Sequence, residues 1–79
     1  MSYAFQVTAD DVELVMNAHS QGVSSEEAEE IFDQHIAPQA ERIEKAALYG
    51  NEMEEQTEYA HKEIAAILME EGVLTKPKQ

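Results

Sequence analysis

Ser24-Ser25-Glu26-Glu27-Ala28-Glu29-Glu30-Ile31-Phe32-Asp33-Gln34-His35-Ile36-Ala37-Pro38 is the stretch whose reading settles how this chain folds. It opens on a serine followed three residues later by a glutamate, the pair in which each side chain satisfies the other's unpaired backbone N–H at a helix start. Ala28, Ile31, Phe32 and His35 then recur at the i, i+3, i+4, i+7 spacing of one helix face. Pro38 closes the stretch. Inside a helix it would lose a hydrogen bond and clash with the turn before it, whereas in the first turn of a new helix it costs nothing. The pattern predicts one helix over roughly 25–36 and another opening at about 38.

Upstream, Thr8 is a good N-cap, with Asp11 at the capping-acid position and Val7 and Val12 in the two staple positions. A helix is expected from Ala9 to near Ser20, with Val12, Val15, Met16 and His19 on its apolar face and Gly22 as its stop. Downstream, the third helix is expected over 38–49, burying Ile43, Ala47 and Ala40. Gly50 and Asn51 break it, and Asn51 with Glu54 forms a cap-like pair for a last, longest helix over 52–71. That helix carries the stripe Met53, Thr57, Ala60, Ile64, Ile67 and Leu68. Because one glycine costs a helix only about 1 kcal/mol, a bent continuous helix over 38–71 is the alternative. Gly72, followed by Val73 and Leu74, reads as a helix stop with an apolar contact behind it.

The expected fold is therefore all-α, a bundle of three to four short helices packed through Val12, Val15, Met16, Ile31, Phe32, Ile43, Met53, Ile64, Ile67 and Leu68. Residues 8–74 are read as a single helical domain, 1–7 as an extended N-terminal arm and 75–79 as a flexible tail. In the arm, Tyr3, Phe5 and Val7 alternate at period two, as a half-buried strand does. Either the arm packs across the bundle or Tyr3 and Phe5 serve self-association as a homodimer.

Charge is the other strong signal. Seventeen acids oppose five bases for a formal charge of −12, against a usual magnitude of roughly 2 to 8 for a small domain. No lysine or arginine precedes Arg42. Such a chain is repelled by nucleic-acid phosphate and by anionic lipid, so direct binding to either is not expected, and basic protein surfaces or metal ions are its natural partners. Cysteine is absent, which excludes disulfides and thiolate zinc sites. No leader pattern and no run near the roughly 20 apolar residues of a membrane span is present, and the cytoplasm is the simplest compartment.

Catalytic chemistry finds little purchase. Glu58 and His61 make one Glu-x-x-His element, the i, i+3 pair of helical di-iron proteins, but that site needs a second such element, and neither His19 nor His35 has an acid three residues before it. His19 and His35 fall in last turns, where a partial positive charge complements the helix dipole. Ser20, Ser24 and Ser25 read as helix-boundary residues rather than nucleophiles. No catalytic residue, cofactor or metal site is expected, and the protein is read as non-enzymatic.

The acids themselves are unevenly used. Glu41 with Lys45 and Glu58 with Lys62 pair at i, i+4, but Glu26, Glu27, Glu29, Glu30 and Asp33 have no cation on their helix. Glu26, Glu30 and Asp33 lie opposite Ile31 and Phe32, repeating every roughly 4.5 to 6 Å, a scale comparable to the phosphates of a nucleic acid strand. Glu52, Glu54 and Glu55 extend this face if the last helix starts nearby. The functional reading is an acidic face that binds a basic partner, such as a nucleic-acid-binding host protein, by mimicking nucleic acid. The alternative is a structural or self-associating protein whose acids serve only solubility.

Arg42-Ile43-Glu44-Lys45-Ala46-Ala47-Leu48-Tyr49-Gly50, continued through Gln56-Thr57-Glu58-Tyr59-Ala60 and Glu63-Ile64, resembles a group of small acidic helical proteins of bacteria and bacteriophages. The resemblance covers the C-terminal half, with a looser match to the capped first helix. The group has no established activity, so it carries over no site residue. It implies a phage or mobile-element origin, a setting in which short acidic proteins act as inhibitors by binding and blocking a host factor.

Overall fold

The computed structural model describes residues 6–75 and is an all-α bundle. Helix α1 spans Ala9–Ala18, α2 spans Ser25–Ile31, α3 spans Ala40–Ala47 and α4 spans Met53–Glu70. Helix α4 is the spine, packing against both α1 and α3, while α1 also packs against α2. Tyr3 and Phe5 lie outside the described residues, as do residues 76–79.

The helix starts follow from local capping. The Thr8 N–H donates to Asp11 Oδ2 at 2.9 Å, and the Val7 and Val12 side chains are both buried. At α2 the Ser24 N–H donates to Glu27 Oε1 and the Glu27 N–H donates to Ser24 Oγ, each at 3.2 Å. At α4 the cap falls one residue later than the spacing predicts: Glu52 is the N-cap, and Glu55, not Glu54, reaches back to accept the N–H groups of Asn51 and Glu52. A glutamate can do this because its longer side chain still reaches the free donors of the first turn.

Between α2 and α3 there is no loop. The chain passes through a wide π-turn, Phe32–Ile36, and a 3-10 turn, Ala37–Gln39, before α3 begins. Pro38 explains the distortion: it lacks the N–H that would bond to the Gln34 carbonyl, and its ring would clash with that group in an α-helix. The wide turn, closed by the Ala37 N–H on the Phe32 carbonyl, relieves the clash. It also adds a residue to the turn and shifts the phase of the apolar face. Ile36 is consequently fully buried, while Ile31, Phe32 and His35, all expected on the inner face, are only half-buried.

The hairpin between α3 and α4 is a true break, so the continuous-helix alternative is excluded. Gly50 is buried, and a Cβ there would stand 2.6 Å from the Gln56 backbone nitrogen, so the glycine permits close approach to the first turn of α4. Gln56 donates to the Gly50 carbonyl at 3.3 Å and occupies the inner position below Ala60. Met53, expected in the core, is 59% exposed as a result. Ile43, Ala47, Ala60, Ile64, Ile67 and Leu68 form the packed centre.

Two helices end in the same motif with different residues. After α4, Gly72 takes φ +77°, the Val73 N–H bonds to the Leu68 carbonyl at 2.9 Å, and Leu74 is buried behind it. After α1 the left-handed position is Ser20, with φ +58°, and the Gln21 N–H bonds to the Met16 carbonyl at 2.9 Å. Gly22 is therefore not the stop. Gln21 then fastens the two ends of the bundle: its amide donates to the Val73 carbonyl at 2.7 Å and accepts the Thr75 N–H at 3.0 Å. No helix among the described residues is long and apolar enough to cross a membrane.

Candidate functional site

The five acids of α2 and its π-turn lie on the surface. Glu26, Glu27, Glu29, Glu30 and Asp33 are all exposed. Glu27 serves the fold as the capping acid. Among the described residues no lysine, arginine or histidine stands within ion-pair distance of Glu26, Glu29, Glu30 or Asp33. The first turn's acids gain from the helix dipole, but that effect fades within a turn, leaving Glu30 and Asp33 without it.

The described cations are all occupied elsewhere. Lys45 pairs with Glu41 at 3.2 Å and Lys62 with Glu58 at 3.7 Å, the two i, i+4 pairs expected from spacing. Arg42, the first base of the chain, ties α3 to α4: it binds Glu63 through Nε and Glu70 through both terminal nitrogens, at 3.2 and 3.1 Å. Arg42 holds the Glu70 carboxyl below its ordinary range, and the two carboxylates raise the guanidinium further above its own. Alongside, His35 pairs with Glu71, and Gln39 donates to Glu71 at 2.7 Å while accepting from Arg42 at 3.3 Å. The acids of α4 thus hold the π-turn and α3 in place.

Glu52, Glu54 and Glu55 do not join the α2 face. The π-turn beside Asp33 meets the C-terminal end of α4 through His35 and Glu71. Glu52–Glu55 open the same helix at its other end, roughly 28 Å away at 1.5 Å per residue. They are a separate acidic patch, and Glu55 is engaged in capping.

The Glu58-His61 element separates into two unrelated contacts. Glu58 faces Lys62, whereas His61 Nε2 lies 2.9 Å from Asp11 Oδ1 on α1. Burial pushes the Asp11 carboxyl up, but hydrogen bonds from His61 and Thr8 outweigh it and leave the group below its ordinary value. Asp11 therefore both caps α1 and anchors it to α4. Sequence spacing reveals the cap but not the anchor, because fifty residues separate the partners. His19, read as a last-turn histidine, is the C-cap of α1 and only 5% exposed. No group of three metal-ligating side chains converges among the described residues.

No family model, curated protein or solved structure matches this chain.

Proposed function

We propose that the protein is a non-enzymatic binding protein whose α2 face engages a surface rich in lysine and arginine, blocking a nucleic-acid-binding protein by offering carboxylates in place of phosphates. The single observation behind this reading is the division of labour among the acids. Glu41, Glu58, Glu63 and Glu70 of α3 and α4, with Glu71 just past α4, are bound to Lys45, Lys62, Arg42 and His35, and those two helices each leave one acid neither paired nor capping, Glu44 and Glu54. Helix α2 and its π-turn gather four, Glu26, Glu29, Glu30 and Asp33, with no cationic partner among the described residues. Glu30 and Asp33 lie beyond the reach of the helix dipole and add only repulsion among these carboxylates, which a cationic partner would relieve. The resemblance of the C-terminal half to small acidic proteins of bacteria and phages agrees with a role as an inhibitor of a host factor.

Capture from a bacterial extract at low and high salt tests the proposal. A basic nucleic-acid-binding protein recovered at low salt and lost at high salt is the expected result, with recovery abolished by the triple change Glu26→Lys, Glu30→Lys and Asp33→Lys. Recovery unchanged by that triple removes the α2 face from consideration.

A further inference from the structure

The charge on α2 accounts for attraction but offers no shape for a partner to fit. Shape is found on another side of the molecule. Helices α1 and α4 pack together, and along their seam runs an open groove of about 650 Å³. Its apolar lining includes Leu14 and Ala18 from α1 and Ala65, Ala66 and Met69 from α4. Leu14 is 57% exposed and Met69 46% exposed, two of the larger apolar side chains that the bundle leaves in water. Neither belongs to the core, so neither is needed to hold the helices together.

One wall of the groove has the length of a helix, while α1 closes it over residues 14–19. Its lining on α4 runs from Glu54 to Met69, about 22 Å at 1.5 Å per residue, the length of a helix of about 15 residues. The three alanines allow a backbone to approach closely, and the unbranched Met69 can adapt to whatever lies against it. Three of the polar groups in the lining are already employed: His61 is held by Asp11, and Lys62 and Glu58 hold each other, with Lys62 5.6 Å from the centre of the Tyr59 ring. An amphipathic helix laid into a groove of this kind reads as apolar anchors at i, i+3, i+4 and i+7.

Charge selects the sign of that helix. In the lining Glu58 and Lys62 pair with each other, which leaves Glu54 as its uncompensated acid. The chain as a whole carries −12, so a second copy approaching the groove meets like charge, whereas a cationic segment is drawn in. We infer that the α1/α4 groove seats a basic amphipathic helix of a partner protein, with apolar side chains on Leu14, Ala65, Ala66 and Met69 and lysines or arginines toward Glu54. This rests on the reading of the protein as a binder of basic partners, and adds to it a second, shape-reading contact distinct from α2.

The test uses the full chain with labelled methyl groups and two synthetic peptides of about 15 residues, sharing one leucine and alanine stripe. One peptide is flanked by lysines, the other by glutamates. The lysine peptide should shift the methyl signals of Leu14, Ala65, Ala66 and Met69 and gain helical circular dichroism, and the glutamate peptide should do neither. The double change Leu14→Gln and Met69→Gln, at exposed positions that leave the fold intact, should weaken lysine-peptide binding about tenfold. Shifts confined to the methyl groups of Ala28 and Ile31 on α2 would overturn the groove while leaving the α2 reading in place. No shift with the lysine peptide overturns it as well. Groove-methyl shifts that depend on protein concentration alone would make a second copy the occupant, and shifts on deleting residues 1–5 would make it the chain's own N-terminus; either overturns the inference.

Discussion

In α4 nearly every acid is engaged. Glu55 caps, Glu58 holds Lys62, Glu63 and Glu70 share Arg42, and Glu71, just past the helix end, holds His35 and Gln39. In α2 and its π-turn five acids stand at similar density, and only Glu27 is engaged in a comparable way. The two regions look alike by composition and differ in what their charges meet. Acid count alone therefore says little about a surface; what matters is which carboxylates remain uncompensated once the helices have packed. By that measure the molecule has a knitted half, α3 with α4, and an open half centred on α2.

The knitted half is broken hardest at its hairpin. Gly50→Ala would drive a Cβ into the first turn of α4 and should destabilise the protein by about 3 kcal/mol in urea unfolding, against a negligible effect for an alanine at exposed Glu29. Next comes Asp11→Asn, which loosens both the α1 cap and the anchor to His61. Because the native Asp11 pKa lies below its ordinary 3.8, its contribution is present above that value and lost as pH falls through the native one. The variant should be about 1 to 2 kcal/mol less stable near neutral pH, and the gap should narrow as pH falls below 3.8 and through the native pKa. Arg42→Met should lower the thermal midpoint at low salt and lower it less at high salt, since the pairs it breaks lie at the surface. Ser20→Gly, just before the open half, should stabilise by about 0.5 to 1 kcal/mol, because glycine takes the left-handed conformation that serine occupies there at a cost.

Much of this is legible from neighbouring residues. Thr8 with Asp11, Ser24 with Glu27, Gly72, and the pairs of Lys45 and Lys62 all act within four residues, and local spacing finds such contacts. What spacing misses acts over longer distances or through the backbone. Arg42 reaches acids 21 and 28 residues away, and Gln21 clasps Val73 and Thr75 more than fifty residues on. The π-turn is a response to Pro38 that moves Ile36 inward and His35 outward, a phase change that a regular 3.6-residue template does not contain. Ser20 in place of glycine hides the end of α1, and Gly50, read as a breaker, is required by close packing against α4. Of the candidate face, Glu26, Glu27, Glu29, Glu30 and Asp33 are exposed as expected, and the distance to Glu52 emerges only once α4 is placed.

The contrast between the two halves is tested most directly by binding to the captured basic partner, measured across salt concentrations for two triple variants that change the net charge equally. One reverses Glu26, Glu30 and Asp33 to lysine on the open half; the other reverses Glu41, Glu44 and Glu70 to lysine on the knitted half, away from the α1/α4 groove. The α2 triple should leave folding stability within about 0.5 kcal/mol of the parent and abolish binding, while the other retains affinity within about tenfold. Equal losses from both triples, or parental affinity in the α2 triple, would contradict a binding surface centred on α2.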